Sequence, residues 1–216
     1  LSPEEAKYIL GAQGNVWTEY INKPENVEYM AMPRMAALAE VVWGTSQPNN
    51  YKDFQSRLIQ HFSVLDRMGV NYRKSIFEIS SKVVVLPDNK FVSLELSSAS
   101  VKPGIHYTTD GSSPTVNSKT YTNPLMIEKS CTIKATYFEE DEPKSSTIER
   151  SFLITESTAK KITLKNPPHD SYATGGAFTL VDGIRGDMQK FGRDWLGFSG
   201  KDMEAIIDLE KKKDVS

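Results

Sequence analysis

The spacing of apolar residues changes character near residue 76, and this limits what the chain can fold into. Over residues 51–68, Phe54, Leu58, Ile59, Phe62, Leu65 and Met68 recur at the period of one helical face. Gly69 follows as a helix-ending residue. From residue 76 to 155 the apolar runs become short: 83–85, 92–96, 105–109, 132–137 and 151–154 read as strands. Polar turn segments at 87–89, 110–114 and 139–143 separate them. Five or more short strands at this spacing predict a small antiparallel sandwich.

The first 75 residues read as α/β. Ser2, Pro3 and Glu5 make a helix start, with Ser as the cap and Pro in the first turn. A short helix to about Ile9 leads into a strand at 10–17. A loop follows over 18–25, with Asn26 as the expected cap of the next helix. Pro33 predicts a kink or a restart within that helical stretch. In a strand, side chains alternate, so Trp17 and Glu19 share a face. An aromatic plate beside a carboxylate suits a sugar: the ring covers the apolar face and the carboxylate accepts from hydroxyls. The structural alternative is a half-buried strand end whose Glu faces water.

The ordered string Gly11-Ala12-Gln13-Gly14-Asn15-Val16-Trp17-Thr18-Glu19-Tyr20 resembles the last barrel strand of glycoside hydrolase family 20, the β-N-acetylhexosaminidases. The resemblance continues through Val27-Glu28-Tyr29-Met30, Pro33-Arg34 and Ala37-Leu38-Ala39-Glu40 to Trp43. It implies the C-terminal end of a TIM barrel over residues 1–75. It also implies release of terminal N-acetylglucosamine or N-acetylgalactosamine from glycans, with retention of configuration. In this family the substrate's acetamido oxygen attacks the anomeric carbon, an exception to the two-carboxylate scheme. An Asp orients that group and an adjacent Glu is the acid; both belong to an earlier barrel strand. No segment of residues 1–75 matches that strand, so no catalytic residue is expected in this chain. Trp17 is implied to line the acetamido pocket. Glu19 is implied to accept hydrogen bonds from hydroxyls on the O4/O6 side. No cofactor and no metal is implied.

Residues 107–115 and 121–125 resemble the chitobiase/hexosaminidase C-terminal module, immunoglobulin- or fibronectin-like, with Asp110-Gly111 as a tight turn. Residues 172–176, 180–186 and 195–209 resemble the first half of a discoidin-like sandwich, a fold that often binds galactose-type sugars. The expected fold class is therefore multi-domain: a barrel end over 1–75, a complete β-sandwich over 76–155 and a truncated discoidin-like part over 156–216. The chain reads as three pieces of a longer protein. By the same resemblance it is secreted, periplasmic or on a bacterial surface. A second functional reading takes residues 76–216 as a non-catalytic carbohydrate-binding or spacer unit.

Other features are read structurally. The net charge of −2 over 216 residues makes no electrostatic case for nucleic acid. No apolar run nears the ~20 residues of a membrane span. No secretory signal is readable at Leu1. Cys131 is the single cysteine, so no internal disulfide forms; it reads as a small buried strand residue. Asp141-Glu142, in an acidic run, and Lys211–Lys213 read as solvated turns. Gln13 and His61 read as packing groups, and His106 as a surface residue. Arg34 reads as a partner for Glu40 or a helix end. Trp195 and Phe198 read as core anchors. His169 has a minor claim as a ligand contact.

Overall fold

The computed structural model describes residues 2–44, 50–86, 90–100, 102–186 and 194–212. Expected turns at 87–89 and at Lys213 lie outside these residues. The chain forms two compact units, one of residues 1–76 with 100–102, the other of residues 77–99 with 103–216.

Among the described residues the α-helices lie in the first unit. Helix α1 (Pro3–Ala6) starts with a complete capping box: Ser2 Oγ accepts from the Glu5 N–H, and the Glu5 carboxylate accepts from the Ser2 N–H at 2.7 Å. Helix α2 (Pro24–Ala31) begins one turn earlier than expected. Lys23 and not Asn26 is its cap, because Pro24 has a helical φ and no N–H to leave unpaired in the first turn. The chain breaks at Pro33 and restarts as α3 (Arg34–Trp43), as the proline predicted. Helix α4 (Tyr51–Arg67) buries Gln55, Leu58, Ile59, Phe62 and Leu65 along one stripe. Asn50 caps its start, and Gly69 takes a left-handed φ of 69° just beyond its end.

The strand expected over 10–17 does not form; these residues are irregular. A barrel strand exchanges ladder hydrogen bonds with a neighbour on each side. The first unit holds no other strand among its described residues, so the segment has nothing to pair with.

The second unit is built of antiparallel sheets. Strands β1 (Ser80–Val85), β2 (Val92–Ser97) and β5 (Leu125–Ile127) form one, with β2 in the middle. The other runs β4 (Lys119–Thr120), β3 (Ile105–Thr108), β6 (Cys131–Glu139), β8 (Ile148–Phe152), and β7 (Glu142–Pro143) pairs with the end of β6. Each of the five expected strand regions overlaps one of these elements, although residue 109 lies beyond β3 and residues 153–154 lie beyond β8. Both sheets contribute buried apolar residues, Val92, Leu94 and Ile127 from one and Ile133, Ala135 and Tyr137 from the other. The Phe77 ring lies 5.1 Å from that of Tyr137. Arg150 on β8 donates through Nε to Ser81 Oγ on β1 at 2.9 Å, a polar tie between the sheets.

Two turns show their chemistry. At Asp110-Gly111, Gly111 has a φ of 80° that L side chains resist. The Asp110 carboxylate accepts from the Ser112 N–H and hydroxyl, and these donors hold it below the usual carboxylate range. The acidic run forms the β6–β7 hairpin tip. There Glu140 and Asp141 both have positive φ, as the two-residue turn with matching twist requires.

Beyond β8, strands β9 (Lys161–Leu164) and β10 (Ala205–Asp208) pair antiparallel, with 3-10 turns at Asp170–Tyr172 and Ala177–Leu180. The segment is stitched to the end of β8: the Leu153 N–H donates to Gly183 O, and Phe152 bridges to Ile184. Ala159 N–H donates to Val181 O in the same seam.

Candidate functional site

Trp17 and Glu19 sit on the exposed surface of the first unit. Trp17 ends the irregular segment with 72% of its surface open to solvent. Glu19 lies in the turn closed by the Ile21 N–H donating to Thr18 O at 3.0 Å. With the strand unformed, no ladder imposes a common face on the two side chains. Gln13 donates through Nε2 to Asn15 Oδ1 at 2.5 Å, a local contact on the same segment. The loop is tied forward, with Asn26 Nδ2 of α2 donating to Asn22 Oδ1.

Arg34 does not pair with Glu40. It turns back on α2 and donates to the carbonyls of Met30, at 2.6 Å, and Tyr29. Those are last-turn acceptors of a helix, where a guanidinium is favoured. Glu40 instead receives Arg57 of α4 in a two-point contact at 2.6 and 3.0 Å, and Arg57 Nε also reaches Asp53. This fork lowers the Glu40 carboxyl and raises the Arg57 guanidinium. Beside it α3 and α4 line an open cleft of about 550 Å³, with Ala36, Ala39, Trp43, Phe54, Leu58 and His61 among its walls. His61 is itself exposed, beside the buried stripe.

In the second unit, Cys131 is half-buried opposite Phe152, and burial pushes its thiol up. His106 is half-buried, not a plain surface residue. Its Nδ1–H donates to Ser118 O, and its ring stands edge-on to Phe138. His169 caps the 3-10 turn, Nδ1 accepting from the Ser171 N–H. Phe198 is half-buried, but Trp195 is 37% exposed and is no core anchor here, because the contacts around it leave part of the ring open to solvent.

Asp182, in the discoidin-like segment 180–186, has an environment that the sequence did not foretell. Asp182 is buried and accepts the Ile184 N–H through Oδ1 at 2.7 Å. Burial, with Asp194 nearby, pushes its carboxyl up to about 6. It lines a cavity of about 560 Å³ together with Lys82, Arg150, Thr179 and Asp194. A lone Asp-Gly pair signals a turn; only the contacts of the folded chain bury it. Among the described residues no cluster of His, Cys, Asp and Glu could hold a metal ion, and no helix is long and apolar enough to cross a membrane.

Two family models match the chain: residues 1–46 match the glycosyl hydrolase family 20 catalytic domain, and residues 94–152 match the Fn3-associated family. A "Beta-hexosaminidase" of Porphyromonas gingivalis (strain ATCC BAA-308 / W83) is 33% identical over 138 residues, 62% of this chain and 17% of that protein. A "Beta-N-acetylhexosaminidase" of Cellulomonas fimi is 36% identical over 67 residues, 31% of this chain and 14% of that protein. The chain thus spans only a small part of the length of these relatives. Residues 1–46 are similar to the glycosyl hydrolase family 20 catalytic domain and residues 94–152 to the Fn3-associated family, in a chain that is similar to part of two β-hexosaminidases.

Proposed function

We propose that this chain is the C-terminal part of an exo-β-N-acetylhexosaminidase that removes terminal N-acetylglucosamine or N-acetylgalactosamine from glycans. The observation that carries this reading is the family 20 match over residues 1–46, which contains the Trp17–Glu19 segment. The relatives' names agree with it. In the whole enzyme residues 10–17 are the last strand of a TIM barrel, with a neighbour on each side. Such a strand delivers Trp17 and Glu19 to the C-terminal face, where barrel active sites lie. The exposed apolar surface of α2 and α3, Met30, Met35, Val41 and Trp43 included, is then covered by the rest of the barrel.

Within that site Trp17 lines the pocket around the acetamido group and Glu19 accepts hydrogen bonds from the sugar's O4/O6 side. Chemistry falls to the substrate's acetamido oxygen and an Asp-Glu pair outside residues 1–216. Residues 156–216 belong to a discoidin-like module, and the enzyme works outside the cytoplasm, on secreted or surface glycans.

Glu19→Gln in the complete enzyme tests the site. Loss of a charged acceptor should lower kcat/KM for a chromogenic N-acetylglucosaminide by about 1.5–3 kcal/mol of transition-state stabilisation. Unchanged kcat/KM removes Glu19 from the site. Clear turnover by residues 1–216 alone would overturn the assignment of the acid elsewhere. The β-sheet unit supports a second reading, a sugar-binding or spacer module, because residues 94–152 match a family of their own. Calorimetric titration with galactose and N-acetylglucosamine separates the two: silence leaves the spacer role.

A further inference from the structure

Helix α2 follows directly on the loop that carries Glu19, yet it buries none of its residues. Eight residues are too few for a stable isolated helix in water, so something outside α2 must hold it. The segment after α4 does. The Asn71 N–H donates to Glu28 Oε2 at 2.8 Å, and Asn71 Nδ2 donates to Glu25 O at 2.9 Å. Two residues on, the Arg73 N–H donates to Met32 O, and the Arg73 guanidinium lies 5.9 Å from the Tyr29 ring centre. Tyr72 between them is 5% exposed and stacks on Phe62 of α4, centroids 4.5 Å apart. Phe62 belongs to the buried stripe of α4.

We propose that Asn71 and Glu28 are positioning residues: together they brace α2 against the α4 core and so hold the 18–23 loop, with Glu19, in place for substrate. The chain of contacts is continuous. It runs from Phe62 to Tyr72, through Asn71 to Glu25 and Glu28, along α2 to Asn26, and from Asn26 to Asn22 in the loop. The brace stands on these contacts alone; its effect on substrate rests on the hexosaminidase reading.

Hydrogen exchange on residues 1–216 tests the brace. Glu28→Ala and Asn71→Ala should speed exchange across residues 18–31 while α4 keeps its protection. Glu28→Gln retains an acceptor oxygen for the Asn71 N–H and should restore the slow exchange. Unchanged exchange over 18–31 in both alanine variants, or failure of the glutamine to restore it, overturns the brace. In the complete enzyme Glu28→Ala should raise KM roughly tenfold, the scale of one lost hydrogen bond, with kcat held. KM unmoved there while Glu19→Gln raises it overturns the positioning role. Unmoved kcat/KM in both, with faster exchange in the chain, instead retires Glu19 as a substrate contact and leaves the brace standing.

Discussion

The two units differ in where their apolar residues go. In the first, α1, α2 and α3 bury no residue, and Trp43 is 87% exposed. In the second, Leu94 is 0% and Tyr137 1% exposed, and strands from two sheets share the burial. Both regions are rich in apolar residues at regular spacing. The difference lies in partners. A sandwich strand finds its neighbours within about sixty residues, whereas a barrel strand and its covering helix need elements from the whole barrel. The family and site features therefore sit in the part of the chain that builds the least core of its own.

Substitutions can break this contrast. The largest effect is expected at Leu94→Ala in β2, about 2–5 kcal/mol of stability lost by urea or thermal unfolding. Its counterpart Val41→Ala on α3, 66% exposed, should stay within about 0.5 kcal/mol in this chain. Equal losses at the two positions would mean that α3 is buried after all.

The next effect depends on pH. The Asp182 carboxyl is pushed up to about 6, above its unfolded value. The folded unit therefore holds this proton more tightly than the unfolded chain. The stabilisation is complete below the unfolded pKa of about 4 and is lost as pH rises through about 6, up to about 3 kcal/mol. Asp182→Asn should flatten that part of the stability profile of the second unit. An identical profile in the variant would take Asp182 out of the account.

A smaller loss is expected at Gly104→Ala. An added Cβ would lie 2.5 Å from Phe138 O and 2.6 Å from Tyr137 Cζ, so backbone must shift, at about 1–3 kcal/mol. The smallest belongs to Arg57→Ala: Arg57 and Asp53 are open to solvent and Glu40 is only part-buried, so salt screens the pairs. Its effect should shrink further in high salt; a large, salt-independent loss would show that the Glu40–Arg57 fork supports α3 more than its exposure suggests.

Local chemistry was legible wherever neighbours in sequence are partners in space. The Ser2–Glu5 capping box, the restart at Pro33, the α4 stripe, the five strand regions and the Asp110-Gly111 turn all depend on residues a few positions apart. The order of residues 11–43 also carried the family, because a long ordered string is itself specific.

What tertiary structure alone decided are the relations between distant residues. The 10–17 strand did not form because a strand exists only with its ladder partners, and spacing cannot supply them. Arg34 chose the end of α2, and Glu40 took Arg57 instead, a choice made by how helices approach. Asp182 became a buried carboxyl only when the chain beyond β8 folded back on the sheet. Asn71 reached across 43 positions to Glu28. Composition and periodicity determine which residues seek burial or a hydrogen-bond partner; three-dimensional contact determines which partner each one finds.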